Sequence, residues 1–455
     1  MTHAYFLNED KLELQIMKVY VPLGILYISA YLEKNDFENE VFDTTFSSFE
    51  LQIKKIIEDK PDILAIYTNL MTKLNVLRLI KEVKQNPSLS NTRIILGGPE
   101  VRHHAKNFLE HGADVIVIGE GEETMLELVK ALQNKQTDLS GIDGIAYNNN
   151  EIIFTKERTL IDINTLPFPN LSKVNFSQYL NAWKNHHGHS MMTVNTMRGC
   201  PYTCKWCSKA VYKESYRRRS PELVAEELSM IKDTYNPDMI WFVDDVFTIH
   251  HRWLKEFTNE VKKRDVLIPY EIISRPDRLD EQAIKLLRES GCFRIWIGAE
   301  SGSQKIIDAM DRRINVIQTR KIIKQVKQYG IQAGTFIMLG YPGETKDDIK
   351  QTIEHLVDSN PDLYTITIAY PIKGTILYSE VESKFIKQNE WKNTTDRDID
   401  FTRLYSRSFY EHAIKWVQNE VSLQTKNKNI FIKIFQKIKS FKYQTQMLIE
   451  SLKNI

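Results

Sequence analysis

The stretch Arg198, Gly199, Cys200, Pro201, Tyr202, Thr203, Cys204, Lys205, Trp206, Cys207 packs three of the chain's four cysteines into eight residues. Three residues fill the first gap and two the second. Thiolates crowded on one short loop converge on a metal, and an iron–sulfur cube held by only three cysteines keeps one iron with an open coordination position. Two other readings use the same residues. A structural zinc site needs a fourth cysteine or histidine, and Cys292, or His186, His187 and His189, would supply it by count. A secreted disulfide framework fits poorly with an odd trio beside one distant cysteine.

At these residues the sequence resembles the radical S-adenosylmethionine (SAM) enzymes, whose signature is this spacing with an aromatic, here Trp206, before the third cysteine. The resemblance implies that Cys200, Cys204 and Cys207 ligate a 4Fe–4S cluster and that SAM chelates the open iron. An electron, delivered by a donor such as flavodoxin or ferredoxin, would then cleave SAM to methionine and a 5′-deoxyadenosyl radical. Trp206 would sit beside the cluster and SAM; read alone, it is a loop aromatic that packs.

At 455 residues the chain exceeds one compact core, so two or three domains are expected. Apolar content of 42% with 26% charged residues is that of a soluble globular protein, and a net charge of +2 gives no global preference for nucleic acid. Four cysteines, three clustered, suit a reducing cytoplasm. No run of eighteen apolar residues and no signal-like amino terminus is present, and no long-period repeat occurs.

Upstream, short apolar runs alternate with helical patterns over residues 1–135. Strands are expected at His3–Leu7, Glu40–Phe42, Ile63–Tyr67, Arg93–Leu96 and Val115–Ile118. Helices are expected at Pro22–Lys34, Phe49–Glu58, Leu74–Val83, Arg102–His111 and Glu122–Leu132. This is the pattern of an α/β, doubly wound parallel sheet, which binds ligands beyond the carboxyl ends of its strands. The tips there read Thr68, Asn69, Leu70, Met71; Gly97, Gly98, Pro99, Glu100; and Gly119, Glu120, Gly121, Glu122. Glycines let backbone approach a ligand closely, although Gly-Gly-Pro taken alone is a common turn.

With Pro22, Leu23 and Gly24 opening the first helix, these tips resemble the Rossmann-like cobalamin-binding domain that precedes the radical SAM domain in one large subgroup. The resemblance assigns Thr68, Asn69, Leu70, Met71, Gly97, Gly98, Pro99, Gly119, Glu120 and Gly121 to cobalamin. No histidine has an aspartate two places before it, so a histidine ligand to the lower face of cobalt is not expected, and Leu70 and Met71 are the candidates to lie near that face. His103 and His104 read as solvated surface.

Residues 136–190 read as a hairpin (Gly141–Thr155, turning at Asn148, Asn149 and Asn150) and a stiff boundary at Leu166, Pro167, Phe168, Pro169 and Asn170. His186, His187 and His189 are expected in a loop near the substrate mouth or surface. Over residues 191–375, strands at Met191–Thr196, Met239–Val243, Tyr270–Ile273, Phe293–Ile297, Ala333–Leu339 and Leu363–Ile368 alternate with helices. One helix is capped by Ser220 and started by Pro221. Six such units suggest a partial (β/α)6 relative of the TIM barrel, with its site at the strands' carboxyl ends. Polar residues cluster there, and SAM needs partners for an ammonium, a carboxylate and a ribose diol. By the family resemblance, Asp244 and Asp245 serve the amino group, Ser274 and Arg275 the carboxylate or ribose, and Glu300 and Ser301 the ribose. Read blandly, the aspartates cap a helix and Arg275 and Glu300 form an ion pair. Cys292 is expected to be buried filler.

Residues 376–455 are expected to be helical, with Trp391 and Trp416 as anchors, as a cover over the substrate. Ile430, Phe431, Ile434, Phe435, Ile438 and Phe441 form an apolar stripe opposed by Lys433, Lys437, Lys439 and Lys442. Such a stripe packs against protein or lies on an anionic membrane surface. The expected function is a cobalamin-dependent radical SAM methyltransferase acting on an unactivated carbon of a small-molecule, lipid or peptide substrate. A radical cyclase, oxidase or rearrangement enzyme, and a non-catalytic cobalamin or redox sensor, are the alternatives.

Overall fold

The computed structural model describes residues 1–386, 390–425 and 429–452. The amino-terminal sheet consists of β1 (Thr2–His3), β2 (Ile63–Tyr67), β3 (Arg93–Gly97), β4 (Val115–Val117), β5 (Ile145–Asn149) and β6 (Glu151–Phe154), side by side in that order. The first four strands are parallel and β5–β6 append an antiparallel hairpin that turns at Asn150, with φ +63°. Period-two alternation gives the sheet two apolar faces. Leu64, Ile66, Ile94 and Leu96 pack on the helices Lys73–Gln85 and Ala105–Glu110, whereas Ile95, Val115 and Val117 pack on the helix Glu122–Gln133.

Glu40–Phe42 is not a strand. It makes a single parallel bridge, Thr2 to Phe42, on the outer side of β1. Side chains take over the edge that a strand would have covered: Thr44 Oγ1 donates to the carbonyls of His3 and Tyr5, and Gln52 Nε2 to that of His3. With this bridge counted as an edge, the spatial order has its reversal between β1 and β2, where such sheets open a ligand crevice. The helix expected from Arg102 begins only at Ala105, because Val101 to His104 form turns.

The second sheet is parallel throughout. In chain order its strands are β7 (Met191–Val194), β10 (Met239–Phe242), β11 (Tyr270–Ser274), β12 (Cys292–Glu300), β13 (Gln332–Leu339) and β14 (Leu363–Ile368). A two-residue ribbon, β8 (Met197–Arg198) with β9 (Arg217–Arg218), brackets the cysteine loop. The six strands form an open barrel whose edges are β7 and β14. The helix Pro221–Tyr235 starts as the residues dictate, since Ser220 Oγ accepts from Leu223 N and Pro221 occupies the first turn, where its missing N–H costs nothing.

The triple-histidine stretch lies mainly in a helix, not a loop. Phe176–His187 is helical, and Gly188 ends it in the left-handed conformation. His187 Nε2 contacts the Met17 carbonyl, and the His187 ring lies against Trp183. Trp391 anchors the carboxyl-terminal region onto the first domain, edge-on to Phe108 and under the Lys73 ammonium, 4.3 Å away. Trp416 is buried in the core that joins the helix Arg407–Thr425 to the helix Lys346–Ser359. No described helix is long and apolar enough to cross a membrane.

Candidate active site

The cysteine loop leaves β8 at the carboxyl ends of the barrel strands and is fixed from several sides. Tyr202 stacks under the Arg275 guanidinium at 3.8 Å and accepts from Arg278 Nε. Thr203 Oγ1 donates to Asp311 at 2.6 Å, and the Lys205 backbone bonds to Met310 and Leu377. Trp206 is half-buried against the apolar cluster of Ile306, Met310 and Tyr341.

Cys204 is buried and is the acidic member of the trio. A hydrogen bond from Cys207, acting against burial, together with Arg312 and Arg275, brings its thiol down to about 5. Arg312 Nη1 lies 3.4 Å from its sulfur and Arg275 Nη1 3.7 Å. Cys207 is reachable by water yet ringed by protein, and its thiol is pushed up by its bond to Cys204 and by burial. Burial also raises Cys200, which feels the charge of Asp245. A ligand trio with two guanidiniums on one sulfur is suited to an anionic iron–sulfur cluster, whose thiolates need compensating charge.

Zinc is not favoured. Cys292 opens β12 at the end of the sheet away from the loop, fully buried, its thiol against the Arg294 carbonyl. Among the described residues no group of three His, Cys, Asp or Glu gathers around one ion position.

The residues expected to hold SAM divide into two groups. Asp244 is committed to the frame: its carboxylate accepts from Thr196 N at 2.8 Å, Met197 N at 3.1 Å and Thr196 Oγ1, and it pairs with Arg218. It fastens the start of the cysteine loop to β10, so its oxygens are not free for an ammonium. Ser274 is paired with Thr248 Oγ1, and Ser301 bridges Thr352 Oγ1 and Ser303 N. Arg275 spends its donors on Asp277, the Arg312 carbonyl and Cys204. All four are thus engaged by neighbouring protein groups in this structure.

Asp245 and Glu300 form the second group. Asp245 is accessible, and burial among protein atoms followed by the Asp244 charge raises its carboxyl. Glu300 ends β12 at a break in the ladder with φ +63°, a conformation a non-glycine residue adopts only under constraint. Burial pushes its carboxyl up to about 6, against Arg312, whose Nη2 is 3.6 Å away. Glu300 acts electrostatically on Cys207 as Asp245 does on Cys200, so two carboxylates flank the trio.

Sequence reading missed Arg312. The available signal was Gly298 in mid-strand, because a glycine there marks a close approach. A Cβ on Gly298 would lie 2.3 Å from Arg312 Nη2.

Arg198, two residues before Cys200, ties the halves together. Its Nη1 meets Glu120 at 2.8 Å and its Nη2 meets Glu122 at 2.5 Å, all three side chains being about 5% exposed. Arg217 binds the other Glu120 oxygen at 2.8 Å, and Ile161 N donates to it as well. Glu120, expected at cobalamin, serves as an interdomain clamp and also lines the cavity beside it.

Beside this clamp a cavity of about 320 Å³ opens at the carboxyl ends of β2, β3 and β4. Gly97, Gly98, Pro99, Gly119 and Gly121 line it from the sheet, and Val211 and Tyr212 from the barrel. Gly98 sits at φ +104° with Thr68 O only 2.4 Å from where a Cβ would be. The buried Thr68 hydroxyl has no partner. A backbone-walled, largely apolar slot with an unsatisfied hydroxyl beside it fits an extended ligand with a few polar groups. Asn69 instead caps its own turn, accepting from Met71 N and Thr72 N; Leu70 is half-buried and Met71 exposed at the tip. Thr68, Asn69, Leu70 and Met71 are not among the residues lining the cavity.

Comparison with known proteins agrees with this geometry. Residues 194–356 match the radical SAM superfamily and residues 15–129 the B12 binding domain. The chain belongs to the cobalamin-dependent radical SAM enzymes. Its cofactors are a 4Fe–4S cluster, SAM and cobalamin. An uncharacterized methyltransferase of Pyrococcus horikoshii is 29% identical over 83% of this chain and 82% of its own length. The anaerobic magnesium-protoporphyrin IX monomethyl ester cyclase of Rubrivivax gelatinosus is 26% identical over 80% of this chain and 66% of its own length. The structure of the cobalamin-dependent SAM radical enzyme OxsB, with aqua-cobalamin and SAM bound, superposes with a TM-score of 0.75 at 17% identity, covering 97% of this chain and 71% of that one.

Proposed function

We propose that this radical SAM enzyme is a C-methyltransferase acting on an unactivated carbon of a small-molecule, lipid or peptide substrate. When bound, the cluster supplies reductive cleavage of SAM to a hydrogen-abstracting radical, and cobalamin supplies a methyl carrier.

The observation that carries this reading is the Arg198 clamp. The residue adjoining the cysteine loop is ion-paired to the two glutamates of the tip that borders the cavity. Cluster loop and cavity are therefore held as one unit, as transfer between two cofactors requires. In this reading Cys200, Cys204 and Cys207 hold the cluster, and Arg312 and Arg275 neutralise the Cys204 thiolate. Asp245 accepts from the SAM ammonium, Glu300 meets the ribose, and Trp206 packs beside them. Gly97, Gly98, Pro99, Gly119 and Gly121 cradle cobalamin, with Thr68 offering its hydroxyl.

The cyclase reading has support from the names of several relatives. Co-product analysis separates the two. Methyl transfer yields S-adenosylhomocysteine and 5′-deoxyadenosine together; 5′-deoxyadenosine alone in the presence of converted substrate would favour the cyclase or another rearrangement. Absence of reductive SAM cleavage would leave only a sensor.

A further inference from the structure

The carboxyl-terminal helix Ile430–Leu452 packs through a mixed seam and leaves its apolar stripe outward. Its seam against the helix Arg407–Thr425 runs through Gln436, Ser440, Tyr443 and Met447. There Asn419 Nδ2 donates to the Gln436 carbonyl at 2.6 Å and to Ser440 Oγ at 2.7 Å. At about 100° per residue these positions share one side of the helix. Phe431, Phe435, Ile438, Phe441, Ile449 and Leu452 fall on the other, and each is between 50% and 76% exposed. Amphipathic helices of water-soluble domains bury the apolar stripe, so this orientation is inverted. The stripe expected to pack on protein or to lie on an anionic membrane surface is the side left uncovered; the side chain of Ile430 lies outside the described residues.

Charge decides what fits it. On the helical wheel Lys437 and Lys439 border the stripe on opposite edges and Lys442 lies within it, while no Asp or Glu occurs from residue 430 to residue 449. Two copies meeting through this face would bring their lysines together with no carboxylate between them, which is unfavourable. A phospholipid bilayer with anionic headgroups offers the complement at both levels: phosphates for the ammonium groups and acyl chains for the phenylalanines, with lysine stems reaching up along the apolar surface. The helix is not apolar enough to cross a membrane, so it would lie in the interface plane.

We propose that Ile430–Leu452 is an in-plane anchor that seats the protein on an anionic phospholipid bilayer surface. The proposal stands apart from the reaction catalysed.

Flotation of the full chain with phosphatidylcholine vesicles, with and without phosphatidylglycerol, tests it. The wild type floats with the phosphatidylglycerol vesicles, less at high salt, and stays behind with phosphatidylcholine alone. K437E/K439E loses binding by about fivefold or more per lysine, at about 1 kcal/mol for each basic residue near the surface. F435S/F441S loses it at unchanged salt dependence, and both variants keep the wild-type thermal midpoint because all four side chains are exposed. Failure of the wild type to float with anionic vesicles, or equal flotation of F435S/F441S, overturns the proposal. So does a wild-type dimer in solution that F435S/F441S converts to monomer, which would make a second copy the occupant.

Discussion

Arg198 lies in the chain beside Cys200 but acts on the other domain. Its guanidinium is buried with Glu120 and Glu122 and lies over the Tyr27 and Tyr212 rings. Removing one partner of a buried ionic group strands the others, so Arg198→Met should cost about 3–5 kcal/mol, read as a lower urea midpoint and faster proteolysis at the Leu166–Asn170 boundary. Glu344 gives a pH signature. Burial pushes its carboxyl up to about 8; Gly340 N donates to one oxygen and the other has no partner. A group that holds its proton more tightly when folded contributes its full stability at low pH and loses it as pH rises through the folded pKa. Glu344→Gln keeps the acceptor for Gly340 and cannot ionise. Its thermal midpoint should therefore gain on the wild type from about pH 5 to about pH 8, and parallel pH curves for the two proteins would refute this. At this scale the cysteine spacing was legible, because ligand geometry is written locally. The commitment of Asp244, Ser274, Arg275 and Ser301 to neighbours was not, because Thr196, Thr248, Arg312 and Thr352 reach them only through the fold.

The six barrel strands appear where short apolar runs predicted them, whereas the first strand is Thr2–His3 and not His3–Leu7, with a 3-10 turn from Leu7. The failures are at edges. Glu40–Phe42 has the pattern of a strand, but Thr44 and Gln52 side chains occupy the backbone groups it would have paired with. The Arg102–His111 pattern is helical, yet its first turn gives way to the bend that follows Gly98. That bend makes its own test. A Cβ at Gly98 would meet the Thr68 carbonyl and require a left-handed conformation. Gly98→Ala should lower cobalamin retained per chain by about tenfold while iron and sulfide content stay at wild-type levels. An equal fall in all three would mean the tip merely supports the whole fold.

Across the whole molecule, two α/β halves, each readable from its own stretch of sequence, are joined by contacts no local pattern announces. These include the Arg198 clamp, Arg102 on the Ala210 carbonyl, and the Trp391 segment seated on Phe108. Their combined effect is to hold the cysteine loop, with the accessible Asp245 and Cys207, against the glycine-lined tips. The chemistry assigned to this loop begins with SAM cleavage at a three-thiolate cluster. It is measured as the 5′-deoxyadenosine released by anaerobically reconstituted full-length protein under a strong reductant, in the wild type and in Cys207→Ala. Release by the wild type, loaded with about four irons per chain, and none by Cys207→Ala is the outcome expected; release that survives loss of Cys207, or iron-loaded wild type that leaves SAM intact, would refute it.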